Sequence, residues 1–473
     1  MRGASTKNPN QWHAGTASAL LPGLGQLSVG RKRIGWSLVV ASLFAVVALI
    51  ALVVVNGSTE VAAWLVDPDI LMAILLVNLV VLVVRLWSTA SAWRSAGGVI
   101  GIGLSALLVV VTIPHVAVGY VVSESRSALE EIFVTEPVAA LVTTTTTSTP
   151  TTSTSLIGDP LVPANPIPFS LTTTTTTLPL ETERLTVLLL GGDAGPDRTG
   201  LRTDTMIVAT IDTLTGEAVM FGLPRSMGGF EFSDGQVFPG AGQGLLNEVY
   251  RYGGWYPERF VGIDPGAIAV MDVASHLLDI PIDYFVLVDL VGFAELVDAF
   301  GGVDVYVPRR IPAPIYNRET GARTNLTLEP GHQHMDGDIA LAFARSRTGT
   351  TDYDRMGRQR CLLAAFAEQI NPVTVFSNFG PILASMRENL TTDIPIEQLP
   401  ALVKLAPIVS MENTLVVGFD LGYRQGFTAN GLAKPNVEKI RNAVALAIAD
   451  PERARIELGI PPASEICEEH QVE

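Results

Sequence analysis

The sequence predicts an α/β protein tethered to a membrane: three apolar spans, a Thr/Pro-rich connector, and one large domain whose sheet is covered by helices. Three observations predict it. Of 473 residues, 48% are hydrophobic and only 16% charged, a balance too apolar for a wholly soluble chain and suited to one with membrane spans. The apolar excess is concentrated before residue 123. Beyond about residue 183, short apolar runs alternate with helical patterns, as in layered α/β domains.

Residues 34–55, 70–88 and 98–122 each approach the ~20 apolar residues needed to cross a bilayer. Asp67 and Asp69 crowd the start of the second run and Arg85 its end. A cleaved signal peptide fits poorly, because the first run begins late and two more follow. The loops carry the orientation. Arg2, Lys7, Arg31, Lys32 and Arg33 precede the first span, and Arg85 and Arg94 accompany the second-to-third connection, with no acid in either place. Glu60, Asp67 and Asp69 lie between the first two spans, with no Lys or Arg. Positive-inside bias then predicts a cytoplasmic N-terminus in the plasma membrane and an outer, extracytoplasmic C-terminal part.

The organisation expected is a cytoplasmic segment 1–33, a membrane domain 34–122, a linker 123–182, an outer domain 183–455 and an acidic tail 456–473. Residues 14–30, with LLPGLGQLSVG, are too rich in Pro and Gly for a span and read as an interfacial or re-entrant segment, or a turn before the first span. The PGLGQL-x-x-G-R string resembles a short motif that opens small membrane modules. TTTTTTSTPTTST (143–155) and the threonines 172–177 cannot bury apolar area and read as a disordered stalk or passive spacer. In the outer domain 186–190, 206–211, 218–223, 285–290 and 303–308 read as strands. Helical spacing fits 263–279, 292–300, 356–370 and 435–449.

A formal charge of −16 without long basic runs argues against nucleic-acid binding. Two cysteines, Cys361 and Cys467, exclude a disulfide scaffold and a four-cysteine zinc site. Both would lie outside the cell, as one bridge or as two isolated thiols. No G-x-S-x-G, H-E-x-x-H or phosphate-loop signature is present.

Three clusters carry chemistry. LLLGGDAGPDRTGLRTDTMIV holds Asp193 in a Gly-rich turn, then Arg202 and Asp204, which share a face in an extended segment. GLPRSM puts Arg225 at the end of a strand. ALAFARSRTGTTDYDRMGRQR holds Arg345 and Arg347, again sharing a face if extended, and a following helix with Arg355, Arg358 and Gln359 at i, i+3 and i+4. Arginine forks suit phosphate. Asp193 and Asp204 supply hard oxygens suited to Mg²⁺, with Mn²⁺ the alternative, bound jointly with substrate phosphates. Taken singly, each feature has a plain reading: Asp193 as an N-cap, Arg202–Asp204 as a surface ion pair, residues 355–359 as a solvated face. His332 and His334 in GHQHMDG read as non-ligating residues of a turn-rich loop.

The third cluster joins the others in one register. Leu328, Gly331, Asp336-Gly337, Ala340-Leu341, Arg345 and Arg347, then Asp352, Arg355, Arg358 and Gln359, follow R-x-D and P-R in the order of the LytR-CpsA-Psr family, which residues 185–450 resemble. The middle IDYFVLVDLVGFAELVDAFGGVDVYVP is similar to that family in wording and register.

The resemblance implies a three-layer α/β/α sandwich with a hydrophobic pocket for a lipid tail. It implies a phosphotransferase that moves a glycopolymer from a polyprenyl-pyrophosphate carrier to peptidoglycan and releases polyprenyl phosphate. Asp193 and Asp204 would match the magnesium-binding acids. Arg202, Arg225, Arg345, Arg347 and Gln359 would match the pyrophosphate cradle, supported by Arg355 and Arg358. Arg225, Arg345, Arg347 and Asp204 would act in catalysis, Asp204 as general base only if it does not hold the metal. Two departures stand out: Ser226 follows Pro224-Arg225 where the family has aspartate, and Leu245-Leu246-Asn247 lacks the family's lysine. A polyprenyl-pyrophosphate hydrolase and a non-catalytic polyprenyl-phosphate-binding regulator are the alternatives.

Overall fold

The computed structural model describes residues 9–134, 184–193, 201–240, 243–316, 322–346, 352–369, 378–409, 414–419 and 421–460. The threonine tracts, Arg347, Cys467 and most of the acidic tail lie outside the described residues.

Helices α1 (Pro9–Leu20) and α2 (Leu24–Ser28) flank the Pro22-Gly23 turn, where Gly23 takes φ 100°. The segment of uncertain character is thus a helical hairpin. Buried Gln26 donates to Ser88 O at 2.8 Å and accepts from Ser18 Oγ at 2.8 Å.

Among the described residues three helices are long and apolar enough to cross a membrane: α3 (Lys32–Leu65), α4 (Pro68–Ser95) and α5 (Ile102–Ile132). Helical geometry in α3 breaks at Gly57, with φ 79°. Asp67 caps α4, accepting from the N–H groups of Asp69 and Ile70, so these acids fix the helix start. Helix α5 overturns one expected boundary. It continues to Ile132, so residues 123–132, expected as linker, are helical and bury Ser125, Ala128, Leu129 and Ile132.

The α/β domain is built on a six-stranded sheet whose strands lie in the order Thr414–Gly418, Ala218–Gly222, Thr203–Asp212, Arg184–Gly192, Tyr284–Val288, Leu390–Thr392. Strand β1 (Arg184–Gly192) pairs antiparallel with β2 (Thr203–Asp212), which pairs antiparallel with β3 (Ala218–Gly222). Helices α6 (Val249–Trp255) and α7 (Pro265–Leu278) precede β4 (Tyr284–Val288), parallel to β1. Helix α8 (Leu290–Ala299) follows, then β5 (Val303–Val307), β6 (Ile311–Tyr316), β7 (Arg323–Leu328) and β8 (Gly331–Met335), in which β5 pairs with β8 and β6 with β7.

Then come α9 (Gly337–Arg345), α10 (Asp352–Gln369), α11 (Phe379–Asn389), β9 (Leu390–Thr392), α12 (Leu399–Leu405) and β10 (Thr414–Gly418). A small ribbon, β11 (Arg424–Phe427) with β12 (Ala433–Pro435), leads to α13 (Val437–Ala449) and α14 (Pro451–Leu458).

Alternation along the strands makes two layers around the sheet. Leu188, Leu190, Met206, Val208, Phe285 and Leu287 join one core with residues of α6, α7, α13 and α14. Met220 and Val416 meet a second core formed with α8, α9, α10 and the β5–β8 elements. The result is the expected α/β/α layering around a mixed sheet.

Beyond β9, the Phe285 N–H donates to Asp393 Oδ1 at 2.7 Å. Burial pushes this carboxyl up to about 6, against the opposing pull of the backbone hydrogen bonds. A carboxyl raised above its unfolded value stabilises the fold fully below pH ~4 and loses that contribution as pH rises through its folded value. Asp393→Asn keeps the acceptor without the charge. Its stability is expected to exceed that of the native chain by up to about 3 kcal/mol at neutral pH, the gap closing toward about pH 4. Melting curves across that range test this, and parallel pH profiles for the two proteins would count against it.

Candidate active site

The second sheet face is only partly covered by helices. Leu189, Gly191, Ile207, Val286 and Val288 line a cavity of about 420 Å³ there, shared with α8, α9 and α10. These residues alternate along β1, β2 and β4 with those of the first core, so a single strand register builds both core and cavity. Apolar wall comes from Leu290, Phe293, Leu296, Leu341, Leu362, Leu363 and Phe366. Against it stand Asp193, Arg202, Asp204, Arg225, Asn247, Arg345, Arg355 and Gln359.

A β-bulge places the central acid. Gly191 pairs with Thr205 and Gly192 with Thr203, which leaves Asp204 as the extra residue on β2. Bulges re-aim side chains in this way. Asp204 Oδ1 lies 2.5 Å from Arg225 Nη1 and accepts from Asn247 Nδ2 at 3.0 Å, while Oδ2 is 3.9 Å from Arg355 Nη1. Burial pushes the Asp204 carboxyl up, but the charges of Arg225 and Arg355 and the hydrogen bonds from Arg225 and Asn247 outweigh it and hold the value below the usual range. Asp193 is buried and pins the neck of the intervening loop: its backbone N–H donates to Arg202 O at 2.9 Å, and its Oδ1 accepts from Arg202 N at 2.8 Å.

Arg345 sits elsewhere than the extended reading implied. ALAFAR is the end of helix α9, with Arg345 in its last turn. The Asp336-Gly337 pair explains that helix. Asp336 caps it, accepting from Ile339 N at 2.8 Å, and Gly337 donates its N–H to Asp298 Oδ1 of α8 at 2.7 Å. Part of the recognised motif is therefore scaffold that delivers Arg345. Its expected neighbour Arg347 lies outside the described residues.

On α10, Arg355 and Gln359 reach the cavity but Arg358 does not line it. Arg358 is buried, and its Nε donates to Phe343 O at 3.0 Å and its Nη2 to Ser346 O. Burial lowers its pKa to about 10, against the pull of Asp354. The same helix carries Cys361, which is disulfide-bonded. The sequence holds one other cysteine, Cys467, which lies outside the described residues.

Sequence reasoning did not assign Asn247 or Asp289, which both line the cavity, to the site, and the hydrophobic pocket that the resemblance implied came without its wall residues. Asn247 had a signal in its position beside the departing Leu245-Leu246 pair; the walls had none beyond strand alternation. His332 and His334 lie on strand β8, where a loop had been expected. His332 meets Tyr306 edge-on, and His334 Nδ1 is 2.9 Å from Asp304 Oδ1.

Among the described residues no group of three or more His, Cys, Asp or Glu could hold a metal. Two carboxylates on one cavity nonetheless fit a Mg²⁺ that completes its shell with phosphate oxygens and water, the usual habit of that ion.

Fold and cavity define a class: an α/β domain carrying apolar N-terminal helices, with arginines and acids facing an apolar-walled groove. The chain belongs to the LytR_cpsA_psr family, whose model matches residues 148–444. A polyisoprenyl-teichoic acid–peptidoglycan teichoic acid transferase TagU of Enterococcus faecalis is 30% identical over 223 residues, covering 46% of this chain and 64% of that protein. Biofilm regulatory protein A of Streptococcus mutans is 29% identical over 220 residues, covering 44% of this chain and 50% of the relative. The chain thus spans less than two thirds of the length of these relatives. The crystal structure of B. subtilis TagV aligns at 23% identity with a TM-score of 0.42, over 56% of this chain and 98% of that one.

Proposed function

We propose that this chain is a membrane-anchored phosphotransferase that moves a glycopolymer from a polyprenyl-pyrophosphate carrier to peptidoglycan and releases polyprenyl phosphate. The N-terminus would be cytoplasmic and the outer domain extracytoplasmic, as the loop charges predict. The observation that carries this reading is one cavity with two chemistries: guanidinium and carboxylate groups around Asp204, and a long apolar wall from β4, α8, α9 and α10. A pyrophosphate joined to an isoprenoid tail needs both. The transferase names of the teichoic acid relatives support the same class.

In this mechanism Arg202, Arg225, Arg345, Arg355 and Gln359, with Arg347, hold the pyrophosphate oxygens and stabilise charge building on the leaving phosphate. An acceptor hydroxyl attacks the sugar-side phosphorus; the bond to the bridging oxygen breaks, polyprenyl monophosphate leaves with the pair, and the hydroxyl proton goes to that departing phosphate. Arg225 and Asn247 fix the orientation of Asp204. Its depressed pKa keeps it a carboxylate at neutral pH, which suits electrostatic positioning better than proton abstraction. A Mg²⁺ at Asp193 and Asp204 would neutralise phosphate charge. The apolar wall holds the tail and excludes water from the groove.

The test uses the full chain in lipid nanodiscs with a polyprenyl-pyrophosphate-linked sugar and peptidoglycan. Transfer is expected, falling about ten-fold or more on chelation and recovering with Mg²⁺. Equal release without acceptor would make it a hydrolase; lipid bound without release under any metal condition would make it a binding regulator.

A further inference from the structure

The outer domain rests on the membrane helices. Beyond the apolar part of α5, about ten further residues add roughly 15 Å of helix. Their apolar face, Ala128, Leu129 and Ile132, forms one buried cluster with Leu383 of α11 and with Ile394 and Ile396 after β9. The chain leaving α5 is then held by the segment that follows β9: Val134 N donates to Ile394 O at 3.1 Å, and Ile396 N to Val134 O at 2.9 Å. Ion pairs ring the contact. Arg387 of α11 is 3.4 Å from Glu124 and also pairs with Glu131, and Lys404 of α12 is 2.8 Å from Glu60 of α3.

Helix α11 passes this contact on to the groove. Its last residue, Asn389, donates to Glu295 of α8 at 3.1 Å, and Asn389 O accepts from Asp289 N at 3.2 Å. Gly292 lets the two helices meet closely, since a Cβ there would fall 2.2 Å from that of Asn389. Helix α8 is a groove wall, contributing Leu290, Phe293 and Leu296. An unbroken series of contacts therefore runs from the third membrane helix through α11 to the apolar wall.

We propose that the extramembrane end of α5 is a positioning element for the groove, with Arg387 and Glu131 as its positioning residues. Through α11 it fixes α8 and so sets how the groove accepts a long isoprenoid tail arriving from the bilayer. Rigid docking also means that the distance between membrane and groove is set by α5. This rests on the lipid-carrier reading above for its substrate, but the docking itself does not.

The experiment uses the full chain in nanodiscs. In an E131C/R387C double variant, a short bis-methanethiosulfonate reagent is expected to cross-link the two positions efficiently; failure to cross-link overturns the docking. In turnover, Arg387→Glu faces two like charges. It is expected to raise KM about five-fold or more for a long-chain polyprenyl-pyrophosphate substrate, while kcat/KM for a short-chain soluble analogue stays within about two-fold. The charge-swapped Glu131→Arg/Arg387→Glu protein should recover most of the loss. Native kinetics on the long chain for Arg387→Glu, or equal loss on both substrates, overturns the positioning role. If the native chain releases no polyprenyl phosphate, the functional reading fails and the positioning of a tail fails with it, while cross-linking still decides the docking.

Discussion

Arg345→Ala is expected to lower turnover by about a hundred-fold or more while leaving the fold intact, as loss of one preorganised charge donor does elsewhere. The two halves of this expectation have separate causes. Arg345 lines the cavity beside the apolar wall, so its guanidinium would face a substrate held there. It is also half-exposed in the last turn of α9, where the interaction of a cation with a helix C-terminus is worth about 0.3–1 kcal/mol. Arg345→Lys keeps a point charge but loses the planar fork, so it should recover only part of the rate. Steady-state transfer and melting of the same preparations decide it. Turnover within about two-fold of native would remove Arg345 from the cradle.

Strand content was legible because β1, β2 and β4 alternate apolar residues over both faces, and their patterns fell where the sheet has them. Three kinds of feature were not legible. Strand neighbours in β10-β3 and β4-β9 are joined across long stretches of chain, and no local pattern encodes that pairing. The short ALAFAR run fits either period; a helix is selected by the Asp336 cap and by Gly337 lying against α8, which are tertiary facts. The continuation of α5 was hidden because Glu124, Arg126, Glu130 and Glu131 read as the end of a span, though Ala128, Leu129 and Ile132 between them form a buried stripe. At the site, the extended reading of R-x-D put Arg202 and Asp204 on one face; both line the cavity, Arg202 from just before β2 and Asp204 from the bulge. The bulge that leaves Asp204 unpaired in the ladder was beyond the pattern, because it depends on partner residues Gly191 and Gly192.

Arg358→Ala should behave in the opposite way from Arg345→Ala, by unfolding the domain as well as silencing it. Spacing of i, i+3 and i+4 puts Arg355, Arg358 and Gln359 on one side of α10, yet at 100° per residue Arg358 and Gln359 point about 100° apart. Gln359 meets the cavity, and Arg358 enters the core beneath α9. There its forked N–H groups hold the carbonyls of Phe343 and Ser346, on either side of Arg345. Alanine leaves both buried acceptors without these donors and opens a void, which together cost about 3–5 kcal/mol. It also releases the end of α9, so that Arg345 loses its aim even in molecules that remain folded. Lysine has no fork to reach both carbonyls at once and should rescue stability only in part. If instead Arg358→Ala keeps its melting temperature and loses only turnover, the guanidinium turns toward substrate and belongs to the cradle with its neighbours. A domain that melts early, with rate lost in proportion beyond the unfolded fraction, assigns it to holding Arg345 in place.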